Sequence, residues 1–196
     1  MKKNRRQYFI VVCAAVVGTF FSGLLSPALS AEATEEQLLV DKARITFESF
    51  ISDPNMSYLK EHLKDAKGIL IVPSLLKAGF VFGGSGGSGV LIVNDAKKGQ
   101  WSQPAFYTIG SVSFGLQIGG EAAEVIMMVR TQKAVDKLLT SSFKLGGDTS
   151  VSVGPVGTGA KSNVVADSFS FSRSKGAVAG LALDGRVITT RDNGNA

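Results

Sequence analysis

Between Thr34 and Ile51 the apolar residues Leu39, Ala43, Phe47, Phe50 and Ile51 fall at helical spacing, and Thr34 stands three residues before Gln37 as in a capping box. The pattern predicts an amphipathic helix that Asp53-Pro54 ends. In MSYLKEHLKDAKG, Leu59, Leu63 and Ala66 lie along one stripe, which predicts a second short helix with Gly68 as its stop. From Gly68 onward the period changes to two. GILIVP, AGFVFGG, GSGVLIVND, PAFYTIGSVSFGLQIGG and AEVIMMVR place β-branched and aromatic residues between glycine-rich corners and read as strands. TQKAVDKLLTSS, with Ala134, Val135, Leu138 and Leu139, predicts one helical interruption before strands in DTSVSVGP, VVADSFSFSR, GAVAGLALDG and RVITT. The expected fold is α+β, with amino-terminal helices packed on a curved, mostly antiparallel, glycine-rich β-sheet or partial barrel, because glycine interrupts so many strands.

Two glycine-rich stretches carry the letters of nucleotide-binding loops. Gly84 to Gly89 fits G-x-G-x-x-G, but such a loop needs a helix after it to present amide groups to the pyrophosphate, and here Val90 to Val93 form a strand. No ribose-binding carboxylate stands about twenty residues on. The stretch is expected to be a turn between two strands. Gly154 and Gly159 have P-loop spacing, yet Ala160 intrudes before Lys161 and Ser162, and the continuation is again strand-like.

Acid–base, metal and nucleophile chemistry find little support. His62 is the sole histidine and has no second His or Cys for a zinc site. Glu121 and Glu124 share one side of a turn at most. The serine in GGSGG opens into a strand, where a nucleophile elbow opens into a helix. The reading is a protein that is not an enzyme and uses no cofactor or metal.

The first thirty residues change the electrostatic picture. Lys2, Lys3, Arg5 and Arg6 precede an apolar run and then Pro27 and small residues, the layout of a signal peptide cut after Ser30 or after Ala33. An uncleaved anchor is the alternative, and Arg5-Arg6 leaves both the general secretory and the twin-arginine routes open. Four of the 21 Lys and Arg lie in this segment, so cleavage after Ser30 leaves 17 against 16 Asp and Glu. That balance gives no argument for nucleic acid. Cys13, the one cysteine, also lies in the segment, so the remaining chain has neither disulfide nor thiol nucleophile. Residues 34–191 read as a single domain in the periplasm or outside the cell.

The order of several blocks resembles the SYLF domain family. They are DAKGILIVPSLLKAGFVFGGSGGSGVLIV, WSQPAFYTIGSVSFGLQIGGE, KLGGDTSVSVGPVG and FSFSRSKGAVAGLALDG, with Trp101-Ser102-x-Pro104, Gly119-Gly120-Glu121 and Ser172-Arg173-Ser174-Lys175-Gly176 as their markers. The resemblance covers about Leu38 to Ile188 and implies a lipid-binding module, here a secreted bacterial member. Eukaryotic members bind phosphoinositide membranes through an amphipathic amino-terminal region, and some yeast members bind and bundle actin. Actin comes within reach of an exported protein only if it is delivered to a host cell. The ending RDNGNA departs from the paired tyrosines of many members.

Charge placement suggests candidate lipid contacts. Lys60, Lys64 and Lys67 fall at i, i+4 and i+7 of the second predicted helix, beside its apolar stripe, an arrangement suited to an anionic membrane surface. Lys77 in SLLKAGF, with Leu75, Leu76 and Phe80 around it, adds a fourth contact, and Arg173 and Lys175 at a strand end are phosphate candidates. The expected partner is an anionic phospholipid or membrane surface. The alternatives are an envelope protein, bound through a sheet face or edge, and an uncharacterised hydrolase.

Overall fold

Helix α1 (Glu35–Ser52) starts at the predicted cap: the Thr34 side chain accepts the Gln37 backbone N–H at 3.2 Å, and Glu35 and Glu36 place negative charge at the helix amino terminus. Its inner face buries Ala43, Thr46 and Phe50. Asp53 ends it with extended backbone, and its carboxylate accepts the Asn55 N–H at 2.9 Å to start a 3-10 turn over Pro54–Met56. These features belong to a computed structural model that describes residues 34–79, 82–95, 98–114, 119–174, 177–179, 186–191 and 195. The proposed signal segment with its cleavage points and Cys13, together with Phe80, Leu116, Ile118 and Lys175, lies outside the described residues.

The second helix is shorter than its periodicity predicts. Helix α2 spans Ser57–His62, tightens into a 3-10 turn over Leu63–Asp65, and gives way to extended backbone at Ala66. The competing force is the sheet: the Lys67 N–H donates to Val129 O and the Lys67 carbonyl accepts from Asn94 N, both at 2.8 Å. Gly68 therefore opens a strand directly.

The strands are β1 (Gly68–Gly79), β2 (Phe82–Asp95), β3 (Gln100–Trp101), β4 (Ala105–Phe114) and β5 (Gly119–Val129). Helix α3 (Gln132–Leu138) then intervenes where its apolar spacing predicts it, and the Thr131 side chain caps it. After it come β6 (Ser142–Lys144), β7 (Val151–Val153), β8 (Ser168–Ser174), β9 (Ala177–Ala179) and β10 (Val187–Thr190). They pair in the order β6-β10-β4-β2-β1-β5-β8-β7, with β3 on β2 and β9 on β8. Among the described strand pairs only β7 with β8 is parallel. The sheet curls into a half-barrel beneath the amino-terminal helices, the α+β arrangement expected from the sequence.

Curling gives the sheet two cores. On the inner face Phe143 of β6 and Ile188 of β10 share one apolar cluster with Val125 and Met127 of β5 and with Val135 and Leu138 of α3. On the outer face Ile69, Ile126, Met128, Phe169 and Phe171 pack against Phe50, Met56, Tyr58 and Leu59 of the helical segment. Each fully buried phenylalanine contributes about 2 to 3 kcal/mol of transfer free energy, so the helices are held chiefly by apolar contact.

The glycine run that fits a dinucleotide loop is not a turn. Gly84 to Gly89 lies inside β2, paired on one side with β1 and on the other with β4. Its glycines answer a close approach. A Cβ on Gly87 would sit 2.5 Å from Ser74 O, and one on Gly89 would sit 3.0 Å from Ile71 O. Both neighbours flank a bulge in β1, where one extra residue is inserted between Ile71 and Ser74. Pro73 stands there, which reconciles a residue without an N–H with a central strand and carries β1 past the point where GILIVP was expected to stop. Glu121 and Glu124, expected on one side of a turn, instead point to opposite faces of β5 as register partners of Lys77 and Arg173.

The P-loop look-alike is a docking strap. Gly157 N–H donates to Asn55 O at 2.7 Å, Gly159 N–H donates to Ser57 Oγ at 3.1 Å, and Ser57 Oγ donates to Gly157 O at 3.1 Å. Its amide donors thus serve the start of α2. Both glycines have positive φ, which lets the strap fold back on itself.

Candidate functional site

The five described cationic residues singled out from the sequence, Lys60, Lys64, Lys67, Lys77 and Arg173, do not form one cluster. Lys60 lies on α2 and Lys64 in the 3-10 turn after it, both exposed, while Lys67 is half-buried just before β1. The break at Leu63 means they do not make a single helical row. They still sit within eight residues of chain, and among the described residues none of the three is in an ion pair. The apolar stripe beside them faces inward: Leu59 and Ala66 are buried in the outer core, and Leu63 packs against it. His62 stacks on Tyr58 at 4.0 Å between ring centroids, with Nδ1 2.8 Å from the Tyr58 carbonyl.

Lys77 and Arg173 occupy other places. Lys67 and Lys77 are at opposite ends of β1, about 30 Å apart. Lys77 points to the inner face, with Nζ 3.5 Å from Glu121 Oε2. Arg173 lies on the outer face, under α1. Its Nη2 donates to Glu124 Oε2 at 2.6 Å and to Ser49 Oγ at 2.7 Å, and its guanidinium lies 4.9 Å from the centre of the Phe50 ring.

Sequence reasoning missed a polar rung across the inner face. Registers place Glu121 of β5 opposite Lys77 of β1, Lys77 opposite Ser85 of β2, and Ser85 opposite Ser111 of β4. Ser85 Oγ and Ser111 Oγ are 2.8 Å apart. Arg186, immediately before β10, reaches the same rung and donates from Nη1 to Ser85 Oγ, while Ser174 Oγ donates to Glu121 at the other end. The layer beneath is apolar, formed by Leu75 and Ile109.

Arg186 is the unusual member. It is 7 % exposed, its Nε has no hydrogen-bond partner, and burial pushes its guanidinium below the ordinary arginine range. Among the described residues no carboxylate forms an ion pair with it. The only sequence signal was an arginine next to a short strand pattern.

Short helices over a curled sheet whose inner face carries a cationic rung define an α+β half-barrel domain. Comparison with known proteins gives that domain a family. The description Ysc84, Las17-binding protein actin regulator, matches residues 110–196. The chain is 38% identical over 140 residues, 68% of its length, to an SH3 domain-containing protein of Schizosaccharomyces pombe, covering 32% of that relative. It is 37% identical over 140 residues to LAS seventeen-binding protein 3 of Saccharomyces cerevisiae, again 68% of this chain and 30% of the relative. With SH3 domain-containing YSC84-like protein 1 of Homo sapiens it shares 33% identity over 135 residues, 66% of this chain and 39% of the relative. The chain carries a Ysc84/SYLF family domain. It spans about a third of the length of these relatives.

Proposed function

We propose that this domain is an exported, non-enzymatic module that binds anionic phospholipid at a membrane surface. The observation that supports it is the grouping of Lys60, Lys64 and Lys67 around α2 with no ion-pair partner among the described residues. A lysine near an anionic leaflet contributes about 1 kcal/mol, so three give reversible, salt-sensitive association. Glu61 and Asp65 dilute the field and keep the affinity modest. The apolar stripe is occupied by the outer core, so the attraction is electrostatic.

Co-sedimentation with phosphatidylglycerol and with phosphatidylcholine vesicles tests the reading. Binding to the first only is expected, weakened by replacing all three lysines with Gln, and the loss should shrink as salt screens the same Coulomb attraction. Equal binding to both vesicle types, or no effect of the triple variant at low salt, refutes it.

A second reading, a protein-interaction module, is favoured by an exposed apolar stretch of sheet. Leu76 of β1 is 59 % and Val112 of β4 is 81 % exposed, on the outer face beyond the cover of α1. One relative is named for binding Las17. If Leu76→Lys with Val112→Lys abolishes partner capture while vesicle binding persists, the protein partner is the primary one.

A further inference from the structure

We propose that the inner face of the half-barrel holds a second, buried site for an oxyanion of the phosphate type, built on Arg186, Ser85, Ser111 and Lys77. This goes beyond the membrane-surface reading, since it uses different residues on the other face of the sheet.

The argument starts from satisfaction. A guanidinium has five N–H donors and needs acceptors when removed from water. Arg186 is at least nine-tenths buried, yet the acceptor its side chain reaches is a neutral hydroxyl, and Nε has none. An arginine serving only the fold is ordinarily met by a carboxylate, as Arg173 is met by Glu124 a few strands away. Arg186 has no such partner among the described residues.

Hydroxyl polarity points the same way. Ser85 Oγ accepts from Arg186 and lies 2.8 Å from Ser111 Oγ, where either hydroxyl can donate; when Ser85 donates, the Ser111 hydrogen is free for an anion. In that arrangement the rung offers Arg186 Nε–H and Ser111 O–H as donors. Lys77, in register with Ser85 and 27 % exposed, adds a second positive charge whose ion-pair contact to Glu121 is a long 3.5 Å. Two cations and a donor hydroxyl above an apolar floor suit a tetrahedral oxyanion, which accepts several charge-assisted hydrogen bonds at once. Such an anion would also relieve the desolvation that depresses the Arg186 pKa.

The test titrates the purified chain with inorganic phosphate at constant ionic strength set with chloride, following arginine Nε–H resonances by NMR and thermal unfolding in parallel. Saturable movement of one buried Nε–H signal and a Tm raised by phosphate but not by chloride are expected. Ser111→Ala should weaken binding about tenfold, which is about 1.4 kcal/mol. Arg186→Lys, which keeps the charge and removes the Nε donor, should abolish the shifting signal. No saturable shift in the wild-type chain overturns the site, as does phosphate affinity unchanged by Ser111→Ala; both results stand even if Arg186→Lys does not fold. Dihexanoyl phosphatidic acid, run against inorganic phosphate, separates the two sources: tighter competition at the same signal assigns a lipid headgroup, and no gain assigns free phosphate. Loss of vesicle binding in the lysine variant leaves these results untouched, so the two sites fail independently.

Discussion

Arg173 of β8 and Glu124 of β5 are cross-strand partners whose side chains also meet, Nη2 to Oε2 at 2.6 Å. The pair reaches beyond the sheet. Thr46 Oγ1 donates to Glu124 Oε1 at 3.2 Å, Arg173 reaches Ser49 and covers Phe50, and Asp53 Oδ2 lies 4.0 Å from Arg173 Nη1. It fastens α1 to the half-barrel.

Removing one half of this clasp strands the other. Arg173 is 16 % exposed at its side chain, so Arg173→Ala should destabilise by about 2 to 3 kcal/mol, somewhat less than a fully buried pair loses. Urea unfolding monitored by circular dichroism measures this. Arg173→Lys should recover part of the loss, because charge survives and the fork does not.

Glycines in β2 should differ sharply over one residue. Gly87→Ala forces a methyl to 2.5 Å from Ser74 O and 3.2 Å from Leu75 Cα, both backbone atoms, and is expected to cost about 3 kcal/mol. Gly86→Ala meets only Ile109 O at 3.9 Å and should change stability by less than about 0.5 kcal/mol. Equal Tm values for the two variants would refute the close-packed bulge.

Asp167 should make stability fall in acid. Its carboxylate is held below the usual range first by the Ser150 backbone N–H, then by the Ser150 and Thr131 hydroxyls. A depressed folded-state pKa means the contribution is present above the unfolded value of about 3.9 and is lost as pH falls through the folded one. Asp167→Asn should therefore flatten the stability profile below about pH 4. The effect at neutral pH is about 1 kcal/mol, since the group is largely solvated.

Tyr107 acts at the other end of the scale. Its hydroxyl donates to Leu138 O at 2.8 Å in the inner core, tying β4 to α3, and burial raises its pKa. Ionisation is thus resisted in the folded chain. The associated stability is intact below about pH 10 and declines as pH climbs toward the raised folded value. Tyr107→Phe should cost about 1 to 2 kcal/mol at pH 7 in denaturant titration, because it leaves the Leu138 carbonyl unpaired, and should remove the alkaline decline.

Local signals were legible and long-range ones were not. Thr34 with its apolar stripe announced α1, and the stripe of Ala134, Val135 and Leu138 announced α3, because such signals are written within a few residues. The curled antiparallel sheet could be read from period and glycine content. The ends of α2 and the run of β2 could not. Lys67 is drawn out of its helix by Val129 and Asn94, and Gly87 and Gly89 are small because β1 presses on them. Turn-like composition was therefore answering a tertiary contact. The rung of Arg186, Ser85, Ser111 and Lys77 comes from four separate stretches and exists only once the registers are known.

The bulge at Pro73 works as a shift of reading frame. Before it, even-numbered Leu70 and Val72 face the inner core; beyond it, odd-numbered Leu75 and Lys77 do, and the shift appears against both neighbouring strands. Deleting that one residue would restore plain alternation and leave every downstream side chain on its present face, whereas straightening the strand with the residue kept would send Leu76 into the half-barrel and Lys77 out to solvent. The ammonium in the rung and the exposed leucine on the other face are thus two outcomes of a single bulge, which resets the alternation for both surfaces at once.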